Sequence, residues 1–315
     1  MKKISEGRAS VLLIVCCLFW GLSFPLMPLV KAGFKTLEPG MGEAALGATA
    51  NAWRFLAAGL LLMIPAMFSR RRFTRVEIRA GSALGLTFGS GMFLQILGLA
   101  WVVPSVSGMV TAMPVLLAPI AQAFLLRRPV EIKIWFAAGI AIAGCLVLAL
   151  GPSGSQTAGS FVVPAPFPFA GEIATFGSAI FFTAHILLID HYGPRCEATA
   201  LTALMFLVVG LGSLCAALVF GAGPLHTPAA AAVLLSNPTW LWAMLILIVL
   251  SSVVAMWVMN RAQHSLSPAR AAVLYTLEPV FAVVFSLMLG QENLTLKTLL
   301  GGSLIIGAAF ISSRD

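Results

Sequence analysis

Residues 267–292 read SPARAAVLYTLEPVFAVVFSLMLGQE. Between Pro268 and Leu289 the only charged side chains are Arg270 and Glu278. A helix rises about 1.5 Å per residue, so about 20 such residues cross the roughly 30 Å of hydrocarbon in a bilayer. Ser267 has the side chain of an N-cap and Pro268 suits a first helical position, which gives the run a sharp start. The stretch predicts a transmembrane helix whose surroundings are lipid and other helices.

Nine further runs share this character, and the full set lies near 10–31, 48–68, 80–101, 103–126, 132–151, 169–190, 198–221, 239–260, 267–290 and 296–313. The third and fourth meet at Val102, and Pro104 offers a first-turn residue for the fourth. Composition agrees: the 315 residues are 60% hydrophobic and 10% charged, against about 25% charged in a soluble domain. Aqueous fold classes are excluded. The first run continues without an A-x-A-like cleavage site, so a retained span is expected rather than a signal peptide.

The net charge of +8 raises nucleic acid as a partner, but the basic residues cluster in short loops and form no stripe interleaved with aromatics. With ten spans and an inside N-terminus, one side holds Lys2, Lys3, Arg8, Arg70, Arg71, Arg72, Arg75, Arg79, Arg127, Arg128, Lys133, Arg195, Arg261 and Arg314. The other holds Lys31, Lys35 and Lys297. Each missed span would swap every later loop, so this asymmetry supports the count and places both termini in the cytoplasm of a multi-pass cell-membrane protein. The connections 152–168 and 222–238 carry no Lys, Arg, Asp or Glu and are expected to rest as loops at the outer surface.

The chain also repeats. A shift of 164 places Pro104 on Pro268, and a shift of 165 places Pro114 on Pro279. Residues 1–151 and 169–315 then form two five-helix units joined by 152–168. An odd number of spans per unit turns the second upside down, the inverted repeat common among secondary transporters.

The segment 267–292, with its small-residue start, Glu278-Pro279 and a closing acidic residue, resembles the hallmark segment of EamA-type transporters of the drug/metabolite superfamily. Trp20-Gly21 with Phe24, Arg54-Phe55 and the run LLGGSLIIGAAF at 299–310 resemble that family's first, second and last spans. The likeness covers nearly the whole chain. It implies ten helices in two inverted five-helix repeats around a central cavity, and carriage of metabolites such as amino acids, often outward. Phe181-Phe182-Thr183-Ala184-His185 departs from the Trp-Ala type pattern usual in the sixth span.

Glu278 lies about 11 residues into its span, roughly 16 Å deep. An ionised carboxylate there costs at least about 2.5–3.5 kcal/mol, so it is protonated, paired or faces water. It is a candidate to bind a substrate amine or to carry a coupling proton; the other reading is a neutral carboxyl at the Pro279 kink. Tyr275, three positions earlier, shares its face. His185 carries an imidazole, a group that can change protonation near physiological pH, and is the second proton-coupling candidate. Trp20, Ser23, Gln95 and Trp257 are candidates to line the cavity with rings and hydrogen-bonding groups. Arg54 is expected to snorkel to the outer interface or to hold a carbonyl, and Arg270 to orient and cap its helix. Gly85 and Gly89 are expected to permit close helix contact.

Neither a disulfide framework nor a metal site is indicated by Cys16, Cys17, Cys145, Cys196 and Cys215, and no cofactor is expected. An intramembrane enzyme lacks its equipment: there is no H-E-x-x-H, no G-x-S-x-G, and the aspartates are Asp190 and Asp315. The expectation is a non-enzymatic exporter of small polar metabolites, amino acids first, working by alternating access in contact with membrane lipid. A lipid or lipid-linked flippase and a channel remain as alternatives.

Overall fold

The apolar runs fold as helices throughout the computed structural model, which describes residues 4–68, 72–99, 112–149, 169–291 and 293–313. The first run forms α1 (Glu6–Gly21) and α2 (Ser23–Leu37), with a bend at Leu22. There follow α3 (Glu43–Phe68), α4 (Arg75–Leu99), α5 (Pro114–Phe124) and α6 (Ile132–Ala149). The second half contains α7 (Ala170–Tyr192), α8 (Ala198–Val219), α9 (Pro228–Ser236) and α10 (Pro238–Ile246). A π-helical stretch, Leu247–Val254, joins α10 to α11 (Ala255–Ala262). The chain closes with α12 (Pro268–Tyr275), α13 (Leu277–Met288) and α14 (Leu296–Ser313).

Among the described residues, eight helical stretches are long and apolar enough to cross a membrane, and Pro114–Phe124 and Ile132–Leu148 are shorter apolar helices. Eight of the ten expected spans thus have a helix of spanning length, and the fourth and fifth are represented by the two shorter helices. Pro104 and the start of the fourth, the connection 152–168, and the charges Lys2, Lys3, Arg70, Arg71, Glu292 and Arg314 lie outside the described residues. The first span is longer than the sequence pattern implied, running unbroken apart from Leu22 from Glu6 to Leu37.

The connection 222–238 is not a plain loop, as its lack of charge had suggested. It forms a short 3-10 turn, Gly223–His226, and then α9. Thr227 caps α9 by accepting from the amide of Ala230 at 3.3 Å, and Pro228 fills the first helical position. Asn237 caps α10 in the same way through Trp240 at 3.2 Å.

Two ends of the bundle are distinguishable by their polar contacts. At one, Glu6 at the start of α1 pairs with Arg270, Arg128 pairs with Asp190 near the end of α7 at 2.7 Å, and Glu77 of α4 accepts from the amide of Glu197 before α8 at 3.3 Å. At the other, Lys31 and Lys35 of α2 hold Glu43 of α3. Beside that pair, Phe34 and Trp53 each meet Trp240 edge-on, Trp53 at 5.7 Å, and His226 stacks on Trp53.

Small residues set how closely the helices approach. A Cβ on Gly144 of α6 would meet Ile305 at 2.7 Å and the Gly301 carbonyl at 2.8 Å, and one on Gly301 of α14 would meet the Gly144 carbonyl at 2.9 Å. Gly85 is a close contact as expected, 2.6 Å from Val208 of α8, whereas Gly89 is in ordinary contact at 3.7 Å. In lipid such backbone proximity supplies the packing attraction that the hydrophobic effect provides in water. Gly144→Val should therefore lower the melting temperature of the detergent-purified protein, an overpacking cost of about 1–3 kcal/mol. Gly139→Val, where a Cβ meets nothing within 4 Å, should leave thermal unfolding nearly unchanged.

Candidate functional site

Two prolines interrupt two spans in the same manner. Pro25 and Pro279 each lack the amide that would bond four residues back, and the helices bend at Leu22 and Thr276, three residues before each proline. The two bends lie side by side. A Cβ on Gly21 would meet Phe281 Cβ at 2.6 Å and the Ala282 nitrogen at 2.9 Å, so α1 runs against the backbone of α13. The Trp20 ring packs on Tyr275 with centroids 5.4 Å apart, and Cys17 Sγ contacts the Leu274 carbonyl at 3.4 Å.

The π-helical stretch is the third interruption, and it turns two adjacent serines to different neighbours. Ser251 donates to the Phe19 carbonyl of α1 at 2.5 Å. Ser252 donates to the Leu247 carbonyl at 2.9 Å and accepts from Arg54 Nε of α3 at 2.5 Å. Just beyond, Cys16 Sγ donates to the Ala255 carbonyl at 3.1 Å. A π-turn in a membrane helix is costly and recurs at functional sites.

Arg54 is therefore not the interfacial anchor expected from its position. It is 6% exposed, bonds a serine hydroxyl rather than a carbonyl, and sits 5.0 Å over the Phe55 ring. Its charge and that of Glu278 attract one another. Glu278, in the first turn of α13, is partly exposed and also lies close to Cys17.

The other expected residues separate into two groups. Trp20 and Tyr275 come together, with Ser23 at the bend beside Trp20, its hydroxyl donating to the Trp20 carbonyl at 2.6 Å. The Tyr275 hydroxyl donates to Gln263 Oε1 at 2.6 Å and not to Glu278, and Gln263 Nε2 donates to the Ile186 carbonyl at 2.8 Å. His185 is held against α4 instead: it is 3% exposed, Nδ1 lies 3.2 Å from the Leu84 carbonyl, and its ring packs on Phe88 at 5.3 Å. Trp257 lies near the start of α8, where Nε1 donates to Thr199 Oγ1 at 3.0 Å. Gln95 is half-buried on α4. Among the described residues no group of three or more His, Cys, Asp or Glu is placed to hold a metal ion.

Ser251, Ser252 and Gln263 were not singled out by the sequence. The only signal for the serines is a polar pair inside the apolar run LILIVLSSVVAM at 245–256. Ser252→Ala should strand the Nε–H of a buried guanidinium and destabilise the protein by about 1–3 kcal/mol, read as a lower melting temperature in detergent. Ser252→Thr, which keeps the hydroxyl, should recover most of the loss.

Comparison with known proteins gives the same architecture. A solved structure described only as "Crystal structure of protein" superposes with a TM-score of 0.70 at 19% identity, covering 96% of each chain. At that identity the likeness concerns the fold. No curated protein matches. The EamA-like transporter family matches twice, over residues 7–150 and again over 169–314. The chain is a multi-pass, transporter-type membrane protein and belongs to the EamA-like transporter family.

Proposed function

We propose that this protein exports small polar metabolites, amino acids first among them, across the cell membrane by alternating access of two inverted five-helix repeats. The observation that carries the reading is the meeting of three interrupted helices around Glu278 and Arg54. Carriers build their midplane sites from broken helices, because only there does backbone polarity become available inside hydrocarbon.

The inverted arrangement draws support from the direction of the helices. Arg270 pairs with Glu6 at the start of α1 and lies 3.9 Å from Glu131 in the α5–α6 connection, while Arg128 of that connection pairs with Asp190 near the end of α7. So α1 begins at the end of the bundle where α7 finishes, and these are the first helices of the two matched segments. The charge asymmetry supports reading that end, and both termini, as cytoplasmic.

Alternating access also requires that one end be closed, and the contacts at the basic end fit a closed gate. Helix α12 is buried from Pro268 to Leu274. Gln122 of α5 accepts from the Ala269 amide at 3.1 Å, Ser265 accepts from the Ile4 amide at 3.2 Å, and Gln263 joins Tyr275 to α7. The first two bonds link opposite halves of the chain and the others join three elements of the second half; in this reading all must yield for release to the cytoplasm.

The test is efflux from liposomes loaded with a labelled amino-acid pool, with and without a pH gradient. Amino acids should leave protein-containing vesicles faster than protein-free ones, and Glu278→Gln should slow efflux about tenfold or more. Efflux indistinguishable from empty liposomes, together with protein-dependent movement of a labelled lipid, would overturn the reading in favour of a flippase.

A further inference from the structure

We propose that the segment Gly223–Ser236, which joins α8 to α10, lies in the interfacial layer of the bilayer, with the exposed side of α9 covered by the glycerol and upper acyl regions of phospholipid. The inference is independent of what the protein carries and concerns a surface outside the site described above.

The sequence of this region sets it apart. From Ala198 to Asn260 there is no Asp, Glu, Lys or Arg, so α8, the connection and α10 form one uncharged stretch. A surface helix in water carries charged and polar residues on the face turned from the core. Helix α9 buries Ala230 and Leu234, packs on α2 and α10, and exposes Ala229, Ala232, Val233 and Leu235. Val233 and Leu235 are 52% and 53% exposed, and Ser236 is the one polar side chain in the helix. At the same end of the bundle the turn between α2 and α3 carries Glu38, with Lys35 and Glu43 half exposed on either side. That turn is suited to water, and α9 is not.

Neighbouring residues fix the depth. Val219, the last residue of α8, is 83% exposed, and Trp242, in the second turn of α10, is 67% exposed. An exposed tryptophan near the end of a span marks the headgroup level, where its ring meets apolar chains and its N–H meets water. Trp242 lies four residues after Pro238, about 6 Å along the helix, and Asn237 alone separates Pro238 from Ser236. The other end of the segment is held down by Leu225, buried in the cluster that contains Phe34 and Trp240. So α9 is tied to the interface at both ends.

The connection also turns its polar groups inward. His226, its one titratable side chain, stacks on Trp53 with Nε2 shut off from solvent. Pro224, Pro228 and Pro238 occupy first turns, where an amide has no helical partner. Thr227 and Asn237 cap the amides of Ala230 and Trp240, and the Asn237 amide returns to the Leu234 carbonyl at 3.1 Å. Internal pairing of this kind suits a layer poor in water. With no Lys or Arg on α9, attraction to anionic headgroups contributes nothing, and the apolar part of the lipid is the partner.

The experiment places one nitroxide label at a time on Ala229→Cys, Ala232→Cys and Leu235→Cys, and on Lys35→Cys as the aqueous control. The background is the full chain carrying Cys215→Ala, since Cys215 is the exposed cysteine and the other four are buried. Each protein, checked for a monodisperse elution profile, is reconstituted in phosphatidylcholine vesicles, and power-saturation EPR compares collisions with oxygen and with a water-soluble nickel chelate. Relative to the Lys35 label, the oxygen-to-nickel ratio should rise about threefold or more at Ala232 and Leu235, and adding phosphatidylglycerol should leave it unchanged. Ratios equal to that of the Lys35 label would place α9 in water and overturn the proposal. Spin–spin broadening at these positions that disappears on dilution with unlabelled protein would show a second copy on this face, and a raised ratio found only with phosphatidylglycerol would show that charge supplies the contact; either result overturns it as well.

Discussion

Inside hydrocarbon every backbone N–H and C=O must find its partner within the protein, because no water is present to replace it. This chain breaks that pairing at three neighbouring places, and its polar side chains are spent on repair. Ser23 covers the Trp20 carbonyl and Thr276 the Val273 carbonyl, both at 2.6 Å, while Ser252 reaches back to Leu247 across the π-turn. Cys16, Cys17 and Ser251 do the same between helices. Small hydroxyls and thiols suit the task, since each donates one bond and adds little volume where helices touch. The interruptions are thereby made tolerable without being removed.

A division of labour follows along the ninth span. Its first half, α12, is wholly enclosed and begins with a cap in which Ser267 accepts from the Arg270 amide at 3.2 Å. Its second half, α13, buries only Leu277, Ala282 and Ser286. One half is enclosed by its surroundings and the other is more exposed, with Glu278 two residues beyond the join at Thr276. Pro279, three residues past that join, does more than bend the helix, because the interruption separates an enclosed segment from a more exposed one.

Much of this was legible in the sequence, for identifiable reasons. The spans were plain because apolar runs of the right length have no other explanation, and the start of α12 was plain because Ser267-Pro268 is a local signal. Glu278 and Tyr275 stood out because a deep carboxylate and its helical neighbour are conspicuous in an apolar chain, and Trp20 as a ring that could line a cavity. Arg54 was misread because depth alone cannot distinguish a snorkelling arginine from one met by a serine on a distant helix. The π-turn has no proline or glycine to announce it, and Ser251-Ser252 looks like any tolerated polar pair. The helix after Thr227-Pro228 did carry a capping signal, which the absence of charge obscured.

The attraction between Arg54 in the first half and Glu278 in the second also bears on how the protein is made. The chain enters the bilayer from its N-terminus, so Arg54 reaches the membrane long before Glu278 is synthesised. An isolated span bearing Glu278 would meet the full penalty of an acidic group in lipid. By the time that span emerges, the guanidinium and its supporting serine are already in place. The last repeat thus has a reason to fold onto the first as it inserts, and the same attraction that shapes the site helps to dictate the sequence of biogenesis.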